Sequence, residues 1–331
     1  MLYLNGIGHF HPENVIDNSF LQSLDIGTDE AWILERVGIR SRRTVLDLDY
    51  IRQTRNEDPR AAAEASSHSN AQTGALAGRM AMERAGISAE DVGMVISGGC
   101  SPQWSIPAEA AMVADELGIE APSFDLSSAC STFAAQLHSL AQYRPEALPD
   151  YVLLVQPENT TRTVDYSDRS TAVLWGDGTC AQVVSSRHRA PAHIIHTTLH
   201  SDPSGWAKVR ILCGGHFEQD GRAVQRFAIR KGSATLKELL QCAERPDEAL
   251  FIGHQANLLA LEGMCRQGSI AADRHLHNVV DFGNCGAAGA PSVLSQHWDQ
   301  LQEGQEVALA VVGSGLTWGG ALIRWGDSHA L

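Results

Sequence analysis

One succession of short strings runs twice along this chain of 331 residues. SFDLSSAC (123–130) is answered by VVDFGNCG (279–286), YVLLVQ (151–156) by VALAVV (307–312), and GDGTCAQVV (176–184) by TWGGALIRW (317–325). In both stretches, apolar runs of strand length alternate with helix-length stretches of small and apolar residues. That alternation marks an α/β protein, whose strands are covered on both faces and so read as continuous apolar runs. Any α/β chain produces some such order. Internal duplication produces it too, and brings equivalent strand ends together at one site.

The rest of the chain fills in around these strings. LYLNGIG (2–8) predicts an opening strand, and Asp29–Val37 a helix with Thr28 as N-cap and Gly38 as its stop. Residues 42–60 are dense in both charge signs and are expected to form a solvated excursion before an Ala-rich helix ending near Gly86. MVISGG (94–99) predicts a buried strand, 107–117 a helix with Pro107 in its first turn, and Cys130–Tyr143 another helix. Farther on, Ala234–Ala243 and 256–267 are expected as helices, ALFIG (249–253) and NVVDF (278–282) as strands. A small-residue helix is expected from Gly283-Asn284 onward. Residues 187–230, rich in His, Gly and Pro, read as a connection and a hairpin, which divides the chain into halves at 1–186 and 187–331.

Composition narrows the functional class. At 44% hydrophobic and 19% charged residues, the chain has what a globular core requires. Its 25 Lys and Arg against 39 Asp and Glu give a net charge of −14, the wrong sign for a general binder of nucleic acid or anionic membrane. The first residues hold no basic segment followed by an apolar stretch, and no run reaches the roughly 18 apolar residues of a membrane span. The seven Cys are odd in number, widely spaced and without a C-x-x-C pair. Free thiols in a reducing compartment follow, and with them a cytoplasmic location.

Among the thiols, Cys130 stands apart. It follows a short apolar strand, sits among small residues and opens a helix, where the positive end of the macrodipole favours the thiolate. A buried structural Cys is the plain alternative. Cys180, Cys213, Cys242 and Cys265 lack that setting and read as packing residues, whereas Cys285 shares it in the second stretch. His254 ends the strand ALFIG, at the carboxyl edge where open α/β sheets place ligands. Asn284 takes in the second stretch the place close to that of Cys130 in the first. A Cys–His–Asn set serves either as a thiol nucleophile with two hydrogen-bond donors or as a papain-like nucleophile, base and orienter. His9/His11 and His275/His277 have no third ligand at usable spacing, so no metal site is assigned. Gly176-Asp177-Gly178 and Gly313-Ser314-Gly315 complete neither a Walker nor a dinucleotide fingerprint, so neither ATP nor NAD is indicated.

FDLSSACSTF, IGHQANLLALE, DFGNCGAAGAPS and VVGSGLTWGGALIRW together resemble the active-site motifs of the 3-oxoacyl-acyl-carrier-protein synthase III family. DEAWILERVGIRSRR and DYSDRSTAVLWGDG also match, so the likeness covers nearly the whole chain. The resemblance implies the thiolase fold: two duplicated βαβαβαββ halves in a five-layered αβαβα arrangement. It implies that Cys130 takes an acyl group from an acyl thioester and that His254 and Asn284 hold the carbonyl of a malonyl thioester while CO₂ leaves. For this the N–H of His254 faces the substrate. The backbone N–H groups of Cys130 and Ser314 correspond to the oxyanion hole, and Trp32, Arg36 and Arg169 to contacts with the nucleotide end of coenzyme A. Asn257 corresponds to a pantetheine contact, and Val312 and Leu316 border the acyl pocket.

This chain departs from the pattern in three places. Leu259 stands where the family commonly has an Arg that helps dock the carrier protein. Val312 stands where the priming enzymes have Phe, which frees volume. The 42–72 segment is longer than in compact members. A specialised condensing enzyme of the family is therefore expected, in fatty acid biosynthesis or in polyketide or secondary metabolism, with coenzyme A or phosphopantetheine thioesters as substrates and no bound cofactor. An acyltransferase using His254 as general base toward an alcohol or amine is one alternative; a non-catalytic subunit of a heterodimeric synthase is another. The expected partners are an acyl carrier protein and a second copy of the chain, whose Gln103–Ile106 loop would close the acyl pocket.

Overall fold

The apolar runs form strands, and both of their faces are covered. In the computed structural model, which describes residues 1–326, these are β1 (Leu2–Phe10), β2 (Asn14–Asp17), β3 (Ser41–Thr44), β4 (Val92–Ser97), β5 (Ser123–Asp125), β6 (Tyr151–Glu158) and β7 (Gly178–Ser185). They continue as β8 (Ala192–Ser201), β9 (Val209–Ile211), β10 (Phe217–Gln219), β11 (Leu250–Gly253), β12 (Glu306–Gly313) and β13 (Thr317–Trp325). Among the described residues, nine of them join in one mixed sheet, in the order β11-β12-β13-β8-β1-β7-β6-β4-β5. The pattern repeats about the antiparallel β1–β8 pair. On one side β4 runs parallel to β6, which turns back antiparallel into β7 and then β1. On the other, β11, β12, β13 and β8 are related in the same way.

Helices cover this sheet in three layers. Asn70–Ala85 lies on β1, β6 and β7, with Glu109–Leu117 beside it on β4 and β5. Gly221–Leu240 covers β12 and β13, and Leu258–Gly268 packs against it. Between the two halves of the sheet lie Thr132–Ala141, which touches β8 and β13, and Gly289–His297, which touches β1 and β7. Each central helix thus packs on strands of the other half. Phe133, Leu137, Val293 and Leu294 are fully buried in one cluster with Leu154 and Leu309, and each such side chain contributes about 1.5–3 kcal/mol. This is the five-layered αβαβα thiolase fold. The layers approach closely where side chains are missing: a Cβ on Gly8 would lie 2.1 Å from the carbonyl oxygen of Ala77.

Several expected elements differ. NVVDF is not a strand; Val279–Phe282 is a short helical turn. The buried Gln255 Oε1 accepts the N–H groups of Asn278 and Val279 at 3.0 and 3.2 Å, so those donors are unavailable to a neighbouring strand. What remains of the counterpart to β5 is a single bridge, Phe251 to His275. The charged 42–60 segment is not simply solvated. It contains the end of β3 and the helix Leu48–Thr54, and Arg42 is fully buried. Its guanidinium donates to the carbonyl of Val173 and to Asn18 Oδ1. The helix expected at Ala234–Ala243 begins much earlier, at Gly221, where the Asp220 side chain caps it. Residues 187–230 hold the β9–β10 hairpin but also the ten-residue strand β8 at the centre of the sheet. Asp29, not Thr28, caps the helix Glu30–Val37, which does stop at Gly38.

Candidate active site

Cys130 lies in the turn between β5 and the helix Thr132–Ala141, ahead of the helix rather than within it. Ala129 is left-handed, with φ of +46°. The turn is closed by Ser131 N–H to Ser128 O at 3.0 Å and by Ser128 N–H to Thr132 Oγ1 at 2.9 Å. The end of β12 is pressed against it: a Cβ on Gly313 would sit 2.8 Å from the Ser131 nitrogen. That closeness sets Ser314 beside the turn, and both Cys130 and Ser314 line a cavity of about 500 Å³.

The Cys130 thiol is held well below the ordinary range. The largest cause is a hydrogen bond from Cys100, whose Sγ lies 3.3 Å away. Burial opposes the shift, and a hydrogen bond from His254 adds to it. Cys100 is held well above the ordinary range, first by that same contact and then by burial. The two shifts run in opposite directions, as they do when Cys100 is the donor of the pair. The Cys100 N–H in turn donates to Glu158, at 2.9 and 3.1 Å to the two carboxylate oxygens. Glu158 also accepts from Ala287 N–H at 2.8 Å and Thr160 Oγ1 at 3.0 Å. Burial pushes its carboxyl up to about 8. The side chain thus ties the loop after β4 to the loop after Asn284, beneath the thiol.

His254 and Asn284 reach the same cavity from the second half. His254 follows β11 and is buried; its Nδ1 has no hydrogen-bond partner among the described residues, and its ring lies within hydrogen-bond reach of Cys130. The Asn284 backbone is fixed by N–H to Leu174 O at 2.9 Å and by its carbonyl accepting Gly176 N–H at 3.1 Å. Two glycines permit this contact. A Cβ on Gly176 would meet Phe282 O at 2.1 Å, and Gly283, with φ of +68°, packs against Arg42 and Leu174. Asn284 Oδ1 accepts the N–H of Gly286 at 3.1 Å. Holding the oxygen leaves the amide NH₂ free to point outward as a donor.

The other expected residues line the same cavity. The Trp32 ring has Arg169 and Arg36 over it, with guanidinium carbons 5.0 and 6.0 Å from its centroid, a cationic bracket around a flat apolar surface. Asn257 lines the cavity while its Oδ1 caps the next helix through Ala260 N–H at 2.7 Å. Val312 and Leu316 are buried together with Phe227, Ala228 and Trp318, forming an apolar wall. Cys285 is absent from the cavity lining; burial holds its thiol high, and it donates to Phe282 O at 3.4 Å. Cys213 and Cys242, expected as packing residues, are exposed. Burial depresses His9 and His275 to about 4 and His11 to about 3. Trp104 and Ile106 of the Gln103–Ile106 loop are 57% and 83% exposed in the single chain.

Comparison with known proteins follows the same outline. Residues 124–203 match the family model described as 3-oxoacyl-[acyl-carrier-protein (ACP)] synthase III, and residues 244–325 match that of its C-terminal part. The chain is 33% identical over 343 residues to the beta-ketoacyl-[acyl-carrier-protein] synthase III of Syntrophomonas wolfei, covering 97% of this chain and 96% of that one. It is 30% identical over 326 residues to the protein of the same name from Oceanobacillus iheyensis, covering 97% and 98%. The crystal structure of 3-oxoacyl-[acyl-carrier-protein] synthase III from Aquifex aeolicus superposes with a TM-score of 0.85 at 27% identity, over 98% of this chain and 100% of that one.

Proposed function

The chain belongs to the 3-oxoacyl-[acyl-carrier-protein] synthase III family, and we propose that it is a condensing enzyme that loads an acyl group on Cys130 and extends it with a malonyl thioester. The observation that carries the reading is the convergence of the Cys130 thiol, an imidazole and an oriented amide on one cavity. In the first half-reaction the Cys130 thiolate attacks the carbonyl carbon of an acyl thioester. The backbone N–H groups of Cys130 and Ser314 stabilise the oxyanion, and the donor's thiol leaves. In the second, a malonyl thioester enters and its carbonyl oxygen accepts from His254 and the Asn284 NH₂. Loss of CO₂ puts negative charge on that oxygen, where each oriented donor contributes about 3–4 kcal/mol to lowering the barrier. The enolate carbon then attacks the acyl-Cys130 carbonyl, and the thiolate departs, leaving a 3-oxoacyl thioester.

Trp32, Arg36 and Arg169 take the nucleotide end of coenzyme A, and Asn257 the pantetheine arm. Val312 and Leu316 border the acyl chain. An acyl carrier protein is the malonyl or acyl donor for at least one half-reaction, and a second copy of the chain covers Trp104 and Ile106. With the chain divided at 186/187, the first half supplies the nucleophile and the second the two enolate donors; the last five residues of the second half lie outside the described ones. Simple acyl transfer to an alcohol has no use for the Asn284 donor, and an inactive subunit has no use for the set.

The test is intact-protein mass spectrometry after incubation with a panel of acyl thioesters, followed by release of labelled CO₂ from malonyl thioester. The expected result is an acyl adduct on the wild-type protein, none on Cys130→Ser, and CO₂ release that depends on the adduct. An adduct on the Ser variant, or acyl transfer without CO₂, would overturn the reading.

A further inference from the structure

The condensation uses the Cys100 side chain only as a hydrogen-bond donor, yet a second thiol 3.3 Å from a nucleophilic one is chemically more than that. Backbone geometry holds the pair together. Cys100 follows β4 and Cys130 follows β5, two parallel neighbours in the sheet. Their ends are joined by Leu126 N–H to Ser97 O at 2.8 Å and Gly99 N–H to Ser127 Oγ at 3.3 Å. A disulfide bond is about 2.05 Å long, so closing it from a separation of 3.3 Å asks for about 1.3 Å of sulfur movement, within the reach of side-chain rotation. Cys130 lines the cavity of about 500 Å³, which admits small oxidants, and Cys100 is half-buried rather than sealed.

We propose that Cys100 and Cys130 form a reversible oxidation site, in which a peroxide converts unacylated Cys130 to a sulfenic acid and Cys100 resolves it as a disulfide. In the first step the Cys130 thiolate attacks one peroxide oxygen, the O–O bond breaks, and hydroxide or alkoxide leaves; the sulfur is oxidised and the peroxide reduced. In the second the Cys100 sulfur attacks the sulfenic sulfur, the S–O bond breaks, and the departing oxygen takes the Cys100 proton to leave as water. The two thiols are suited to these parts, one lining the cavity with its thiol held low, the other 3.3 Å away with its thiol held high. Disulfide formation removes the nucleophile from condensation and also spares it from sulfinic acid, which thiols do not reverse. An acyl group on Cys130 blocks the first step, so the site reports the absence of acyl donor.

The test treats the reduced full chain with hydrogen peroxide, alkylates free thiols, and reads intact mass and linked peptides. The expected wild-type result is loss of two hydrogens, a Cys100–Cys130 linked peptide, loss of acyl loading, and full recovery with dithiothreitol. Protein acylated beforehand should resist. In Cys100→Ser, which retains a hydroxyl donor, the unresolved Cys130 sulfenic acid should be oxidised by a second peroxide to the sulfinic acid, a gain of two oxygens, and loading should not recover with dithiothreitol; Cys100→Ala serves as a second variant should the first fold poorly. Wild-type protein that carries oxygen on Cys130 while Cys100 is alkylated would overturn the proposal, as would a linkage to the exposed Cys213 or Cys242. The linked peptide is read without substrate, so its presence or absence is independent of whether the chain condenses acyl groups.

Discussion

If the Cys100 S–H stabilises the Cys130 thiolate, removing it must raise the pH at which Cys130 becomes nucleophilic. Three influences act on that sulfur: the Cys100 and His254 hydrogen bonds, which favour the anion, and burial, which opposes it. A hydrogen bond to a charged group is worth about 1.5–3 kcal/mol, and sulfur is a weak donor, so the lower figure applies. At about 1.4 kcal/mol per pKa unit, Cys100→Ala should move the midpoint upward by about one unit. Cys100→Ser should move it less, because the hydroxyl still donates while the volume is nearly kept. The assay is the rate of Cys130 alkylation by iodoacetamide from pH 5 to pH 9, with peptide mapping to confirm the modified site. Wild type should reach its plateau below the range of an ordinary thiol, and Cys100→Ala should lag it. Coincident profiles for wild type and Cys100→Ala would refute the argument, and equal shifts for Ala and Ser would assign the effect to packing.

The remaining predictions concern the donors, the loop beneath them and the exposed aromatic. His254→Ala and Asn284→Ala should each still load an acyl group on Cys130 but lose about 10²–10³ in decarboxylation of malonyl thioester; near wild-type CO₂ release from both would remove them from that step. Gly286→Ala should destabilise the chain by more than about 1 kcal/mol in urea unfolding, since alanine is strained at φ of +52° and its Cβ would fall 2.5 Å from Glu158 Oε1. An unchanged midpoint would show that the loop yields freely. Trp104, 57% exposed in the single chain, should be covered by a second copy, and Trp104→Ala should alter the preferred acyl length. Light scattering at the monomer mass across micromolar concentrations would dispose of the dimer, and an unchanged length preference would dispose of the pocket role alone.

Which of these residues could be read from the sequence follows from the range of the forces that place them. Most strands of the sheet were readable because burial on both faces is written locally, as in the run Tyr151–Glu158, buried from its second residue onward; β8, whose run of His and Thr includes partly exposed positions, was read as connection. Cys130 and His254 were readable as residues at strand ends, and the family likeness then supplied their roles. NVVDF was misread because its apolar composition suits a strand; only the side chain of Gln255, more than twenty residues earlier, captures its first N–H groups. Arg42 was misread for a related reason. Charge density predicts exposure, but a guanidinium can be buried when carbonyls and an amide are arranged to receive it, and Val173 O and Asn18 Oδ1 come from distant parts of the chain.

The acidity of the nucleophile makes the same point at the site itself. A local reading attributes it to the helix that follows Cys130, yet the thiol precedes the Ser131 cap, and its largest stabilising contact is Cys100 from another strand end. Cys100 has no local mark: SGGCSPQW contains neither a second Cys nor a His at motif spacing. Glu158 has none either, as a carboxylate closing an apolar strand ordinarily meets water. Both acquire their place only when β4, β5 and β6 lie side by side, since adjacency in the sheet brings residues 100, 130 and 158 within hydrogen-bond reach. The Ala287 N–H then joins Glu158 from the other half. The loop that carries Cys100 and the loop that follows Asn284 are thus anchored on one carboxyl group. A strain introduced at either loop, as at Gly286, is therefore transmitted to the other through Glu158, and the two half-reactions should lose rate together rather than one at a time.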